Sequence, residues 1–213
     1  MKKFFIILLV LLFSASLLQA GSEPPKKEST KQNVLLIDDF SSGDTATSDK
    51  WWKFDNIKVA DKSDEKGSYI IVSGQASDWY VGGMGTYVAK DAVDYSQIKI
   101  TIYGKAESSG KLKIELVEDD IGSPDVDQDQ KTFLPTKDDK FTSKEIPIDW
   151  SGWKTITIPV SELKLMNPGA GDGKWNPSTK NGHYGLLQFQ IIVVANSAKG
   201  NVNFGIREIK LTQ

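Results

Sequence analysis

The stretch that most constrains this chain is residues 97–117. Ile98, Ile100 and Ile102 alternate with Lys99, Thr101 and Tyr103, and Leu112, Ile114 and Leu116 alternate with Lys113, Glu115 and Val117. A period of two is that of a half-buried strand, whose successive side chains point to opposite faces. With the turn-forming segment Lys105 to Lys111 between them, the two runs predict an antiparallel hairpin with unlike faces. The aliphatic face requires a second sheet to cover it, and the face carrying Lys, Thr, Tyr and Glu is suited to water or to a ligand.

Before that stretch, residues 1–20 have the parts of a signal peptide: Lys2 and Lys3, an apolar run from Phe4 to Phe13, and a small residue, Ala20, at the cleavage point. Residues 21–33, rich in Pro, Lys, Glu, Ser and Thr, read as a flexible polar linker. Residues 34–213 are then long enough to bury one core. These features predict a secreted or periplasmic protein, tied to a membrane only if the signal is retained. The chain has no Cys, so a disulfide framework is excluded and apolar burial must hold the fold. A formal net charge of −2, more negative still without Lys2 and Lys3, argues against nucleic acid and anionic membrane as partners.

Short strand-like segments recur along the rest of the chain. They include Val34 to Phe40, Trp51 to Phe54, Tyr69 to Ser73, Lys144 to Asp149, Trp153 to Pro159, Leu187 to Val193 and Asn201 to Leu211. The glycines in Trp79-Tyr80-Val81-Gly82-Gly83-Met84-Gly85 weaken regular structure and let the backbone pass close to something. Loops dense in Asp, Gln and Lys (118–140) or Gly and Pro (167–185) separate the later segments. Many short strands without a helical period predict an all-β fold, a two-sheet antiparallel β-sandwich of the jelly-roll kind.

Particular residues add a resemblance. Leu36-Ile37-Asp38-Asp39-Phe40, Asp94-Tyr95-Ser96 before the alternating isoleucines, Trp153-Lys154-Thr155-Ile156-Thr157-Ile158-Pro159 and the closing run Phe204 to Leu211 resemble the galactose-binding-like jelly roll. The likeness spans residues 34–213. It points to carbohydrate-binding modules of family eleven and to the complex I intermediate-associated family. It implies a glycan chain bound on the concave face of one sheet and structural calcium near the first and last strands. Ser41 stands where the family pattern has Glu, and Arg207-Glu208-Ile209 replaces an Asp pair, so Asp39 and Glu208 are the carboxylates left for calcium.

A sugar needs aromatic platforms for its C–H face and planar amides or carboxylates for its hydroxyls. Tyr103, Glu115, Gln188 and Gln190 fall on the polar faces of strands, and Trp79, Tyr80, Trp175 and Tyr184 lie where loops rim such a face. Trp51, Trp52 and Trp153 begin strands and read as core plugs, whereas Trp175 in a Gly and Pro loop reads as functional. The expected function is non-catalytic binding of a polysaccharide or oligosaccharide. The same polar faces also fit plain solvation of an exposed sheet, a protein partner gripped by that sheet, or a glycoside hydrolase. Hydrolysis requires two carboxylates, and only Glu115 is placed on the face by its spacing. With one His, His183, and no Cys, a His-rich metal site and a Cys nucleophile are excluded. Asp125, Asp127 and Asp129 alternate as in a calcium loop, but Gln130 and Thr136 stand where that loop needs Gly and Glu, and the segment reads as a solvated loop.

Overall fold

The computed structural model describes residues 33–213; the expected signal peptide and nearly all of the expected linker lie outside them. In chain order the strands are β1 (Val34–Asp38), β2 (Trp51–Asp55), β3 (Ile57–Asp64), β4 (Gly67–Gln75), β5 (Tyr80–Lys90), β6 (Gln97–Lys105) and β7 (Lys111–Glu118). They continue with β8 (Lys140–Thr142), β9 (Ile146–Pro147), β10 (Ser151–Pro159), β11 (Lys164–Leu165), β12 (Leu186–Val194) and β13 (Asn201–Thr212). All pairings among them are antiparallel. Sheet A runs β10-β6-β13-β4-β3, with β1 added to the C-terminal half of β13, and sheet B runs β11-β8-β7-β12-β5-β2, with β9 beside β7. This is the expected all-β sandwich, and among the described residues no helix is long and apolar enough to cross a membrane.

The core lies between the sheets. Ile98, Ile100 and Ile102 of β6 bury against it from one side, and Leu112, Ile114 and Leu116 of β7 from the other, each fully excluded from solvent. The expected hairpin is therefore absent. β6 pairs with β10 and β13 in sheet A, β7 pairs with β8, β9 and β12 in sheet B, and residues 105–111 arch across the core between them. Alternation says only that each strand buries its aliphatic side. It is equally satisfied when two strands share a sheet and when they face each other across a core.

The long strand β13 changes phase along its length. In β13, Phe204 and Ile206 face the core, then the register slips at Arg207 and Ile209 and Leu211 take over. Such a bulge re-aims the side chains beyond it without breaking the strand. The glycine-rich run at 82–85 lies inside β5, a long strand between β2 and β12, and the segment Ile57–Asp64, which carries no clean alternation, forms β3.

Candidate functional site

The outward face of sheet B is hollowed into an open groove of about 940 Å³. Its floor follows from register. Trp52 of β2 stands opposite Gly85 of β5, Gly85 opposite Gln190 of β12, and Gln190 opposite Glu115 of β7, a single cross-strand row on one face. A flanking row joins Tyr87, Gln188 and Val117 to Lys140 of β8. With strands about 4.8 Å apart, the row from Trp52 to Glu115 spans roughly 14 Å.

Glycines set the shape of the aromatic end. A Cβ on Gly85 would lie 2.3 Å from Cζ2 of Trp52 and 3.0 Å from Cγ of Gln190, and one on Gly83 would lie 2.4 Å from Cζ of Phe54. Because neither glycine has a side chain, the rings of Trp52 and Phe54 lie down over β5. Tyr87, 63% exposed, stands beside Trp52 with ring centroids 5.0 Å apart. Tyr80 closes this side and donates its hydroxyl to Oδ2 of Asp55 at 2.8 Å. Burial, and then that hydrogen bond, hold the phenol's pKa far above its ordinary value.

The polar end is tightly ordered. Nε2 of Gln190 donates to Oε1 of Gln188 at 2.8 Å, which aligns the two amides. Glu115 is clamped by Lys140 at 2.7 Å and Lys113 at 3.4 Å, one ammonium on each carboxylate oxygen. The opposite wall comes from residues 119–139, which place Val126, Gln128, Thr132, Phe133 and Leu134 along the groove, with Phe133 67% exposed.

Of the residues singled out from sequence, the groove thus brings together Tyr80, Glu115, Gln188 and Gln190. Tyr103 is elsewhere, because β6 belongs to sheet A. It packs on that sheet's outer face against Trp153, at 5.3 Å between centroids, and it is the Trp153 ring that the guanidinium of Arg207 covers. Trp175 packs edge-on against Phe141 at the margin of the core rather than rimming the groove. Trp79 and Tyr184 are exposed but do not line it: Trp79 sits in a turn with φ 75°, and Tyr184 is held by its amide, which donates to Oδ2 of Asp119 at 2.6 Å. Trp52, Phe54, Tyr87, Phe133, Lys113 and Lys140 are additions to the expected set. Adjacent tryptophans on an extended chain must face opposite ways, so Trp51-Trp52 carried the signal for one core ring and one surface ring.

Asp39 and Glu208, the carboxylates expected to hold calcium, each have a partner of their own. Asp39 is exposed and accepts the amide of Ser41 at 3.0 Å, while Glu208 pairs with Lys210 at 2.6 Å. The neighbouring Asp38 is buried, and the Lys50 ammonium at 2.8 Å and the Trp51 indole N–H at 2.7 Å already engage it. Carboxylates converge instead at one end of sheet B, where Asp120, Asp139 and Asp172 each bring an oxygen within 4.8 Å of the others. Beside them, burial first and then these neighbouring charges push the carboxyl of Glu118 up to about 9. Burial likewise raises Asp138 to about 6.

Known structures share this architecture. The family 11 carbohydrate-binding module of a cellulosomal cellulase from Clostridium thermocellum aligns with a TM-score of 0.53 and 20% identity, over 84% of this chain and 94% of that one. The Clostridium thermocellum family 11 module in complex with a β-1,3-1,4-mixed-linked tetrasaccharide aligns with a TM-score of 0.51 and 20% identity, over the same shares. At that identity the likeness establishes the fold. Comparison with curated protein sequences found no match. The profile of the surface glycan-binding protein B xyloglucan-binding domain matches residues 15–211, nearly the whole chain, and the protein belongs to that family.

Proposed function

We propose that this protein is an exported, non-catalytic module that binds a single chain of a xyloglucan-type β-glucan along the groove of sheet B. The observation that carries the proposal is the in-register row Trp52, Gly85, Gln190, Glu115. It sets an indole laid over the sheet in line with aligned amides and a carboxylate held by two lysines. Rings supply a platform for the apolar face of a sugar, and the amides and carboxylate supply acceptors and donors for its hydroxyls. An open groove walled on both sides suits a polymer that enters and leaves at its ends. The family name supports xyloglucan as the first polysaccharide to test, and the basic and apolar N-terminal residues support export.

Binding without turnover is favoured by the state of Glu115. Both its oxygens are engaged by lysines, whereas glycoside hydrolysis needs one carboxyl to give a proton and a second to act opposite it. Affinity electrophoresis of the full chain through gels containing xyloglucan, mixed-linkage glucan or mannan tests the reading. Retardation by xyloglucan, abolished in Trp52→Ala, is the expected result. A folded protein that migrates freely in every gel would refute it.

A further inference from the structure

Trp52 stands on β2, an edge strand of sheet B that is bonded to β5 alone. The next strand, β3, is an edge strand of sheet A bonded to β4 alone, and only Asn56 separates the two in the chain. A strand with one free side opens more readily than a central one, so something other than the ladder must fix β2 if it carries a binding surface. The loop between β1 and β2 reaches both edges, and it does so through two side chains of opposite charge.

Lys53 shares a side of β2 with the core residue Trp51 and stands in register with the buried Met84 of β5. A lysine on the core side of an edge strand must carry its ammonium back to polar partners. Its Nζ donates to three backbone carbonyls of the loop, Thr45 O at 2.9 Å, Ser48 O at 3.3 Å and Ala46 O at 3.4 Å, one for each N–H. Among the described residues no carboxylate forms an ion pair with it. From the other sheet, Asp61 of β3 accepts Thr45 N on Oδ1 at 3.0 Å and Ala46 N on Oδ2 at 2.9 Å. The peptide unit joining Thr45 to Ala46 is thus held at both poles, its C=O by a cation of sheet B and its N–H by an anion of sheet A. Hydrogen bonds to ionised groups are roughly twice as strong as neutral ones. The bond from Lys53 to Ser48 O also closes a short ring of chain, inside which Asp49 and Trp52 both line the groove.

We propose that Lys53 is a positioning residue of the groove, which with Asp61 clasps the loop between the two edge strands and so holds Asp49 and Trp52 in place for a sugar. The inference rests on the reading of the groove as a glycan site. Lys53 itself points away from the groove, on the opposite side of β2 from Trp52. Its effect passes through the backbone. Without the ammonium, three carbonyls lose their charged partner, the turn at 44–48 parts from β2, and Asp49 and Trp52 occupy several positions. A sugar must then order them as it binds, and that cost is subtracted from its affinity.

Two measurements on the full chain test this. One is calorimetric titration with a xyloglucan oligosaccharide. The other is two-dimensional NMR of the ligand-free chain, which follows the Trp52 indole N–H, assigned by its loss in Trp52→Ala, and the exchange of the Thr45 and Ala46 amides. Lys53→Met keeps the stem and removes the donors, and it should weaken the oligosaccharide at least about fivefold. It should also shift or broaden the Trp52 resonance and speed exchange of the two amides, which bond Asp61 rather than Lys53, at least about tenfold. Asp61→Asn, which keeps one acceptor oxygen, should move all three in the same direction by less. Ile158→Val, a core change on the far edge strand β10, should lower the melting temperature and move none of them. A folded Lys53→Met chain whose Trp52 resonance stays in place, or whose affinity stays within about twofold of the parent, would overturn the proposal. A parent chain that binds no oligosaccharide would sink the glycan reading instead, and the Trp52 resonance would still decide whether Lys53 positions that ring.

Discussion

Gly85→Ala is a one-methyl perturbation aimed at the platform. The backbone of Gly85 is not in the left-handed region, so alanine meets no conformational strain; the conflict is with the indole of Trp52, 2.3 Å from Cζ2 and 2.5 Å from Cε2. Carbon atoms rest about 3.5–4.0 Å apart, so the ring must retreat by more than about 1 Å. Trp52 is half-buried on the edge strand of sheet B and free to swing toward solvent, which lifts it off the groove floor. A sugar stacked on the ring covers about 60–80 Å² of it, roughly a third of what an aromatic side chain buries in full. At ~25 cal/mol per Å² the loss is about 1.5–2 kcal/mol, or about 10- to 30-fold in affinity. Calorimetry with a xyloglucan oligosaccharide measures this, and thermal denaturation measures the accompanying overpacking cost of about 1–3 kcal/mol. In a Trp52→Ala background the same glycine change should cost much less stability and little further affinity, because the indole atoms are gone and only the 3.0 Å approach to Cγ of Gln190 remains, which a shift of a few tenths of an ångström relieves. A folded Gly85→Ala protein that binds the oligosaccharide as the parent does would refute the assignment of Trp52 as a platform.

Three further outcomes test other parts of the structure. Tyr103→Ala, on the outer face of sheet A, should leave retardation in xyloglucan gels unchanged, and a loss there would place binding on the wrong sheet. Glu115→Ala strands the buried Lys140 ammonium and should destabilise by about 3–5 kcal/mol in urea unfolding, whereas Glu115→Gln should cost less. Stability should fall as pH rises from about 4.5 toward 9. The Glu118 and Asp138 carboxyls, raised by burial, keep protons in the folded chain that the unfolded chain releases, and Glu118→Gln should flatten the fall.

Local chemistry made much of the fold legible. The isoleucines of β6, the leucines of β7 and the Leu187–Val193 run each declare which side faces the core, because a strand has only two sides. On the same ground Glu115, Gln188 and Gln190 were placed on outward faces. The sandwich class follows from such segments whether or not their partners are known.

Partnership is what the sequence left undetermined. Whether the runs at 98–102 and 112–116 share a sheet or oppose each other depends on the path of residues 105–111 and on competition from β10, β12 and β13. That choice moved Tyr103 to the far side of the molecule. Trp175 looked functional because loops are usually wet, yet packing against Phe141 gave it a margin of the core. Trp52 looked like a core plug, yet its neighbour Trp51 took the interior. The meaning of Gly83 and Gly85 came only from β2, whose pairing laid two rings over them, and the convergence of Asp120, Asp139 and Asp172 came from loops far apart in the chain. Side-chain alternation is a property of one strand and is written in its own residues. A groove and a cluster of carboxylates are properties of neighbours, which the chain acquires only when its sheets assemble.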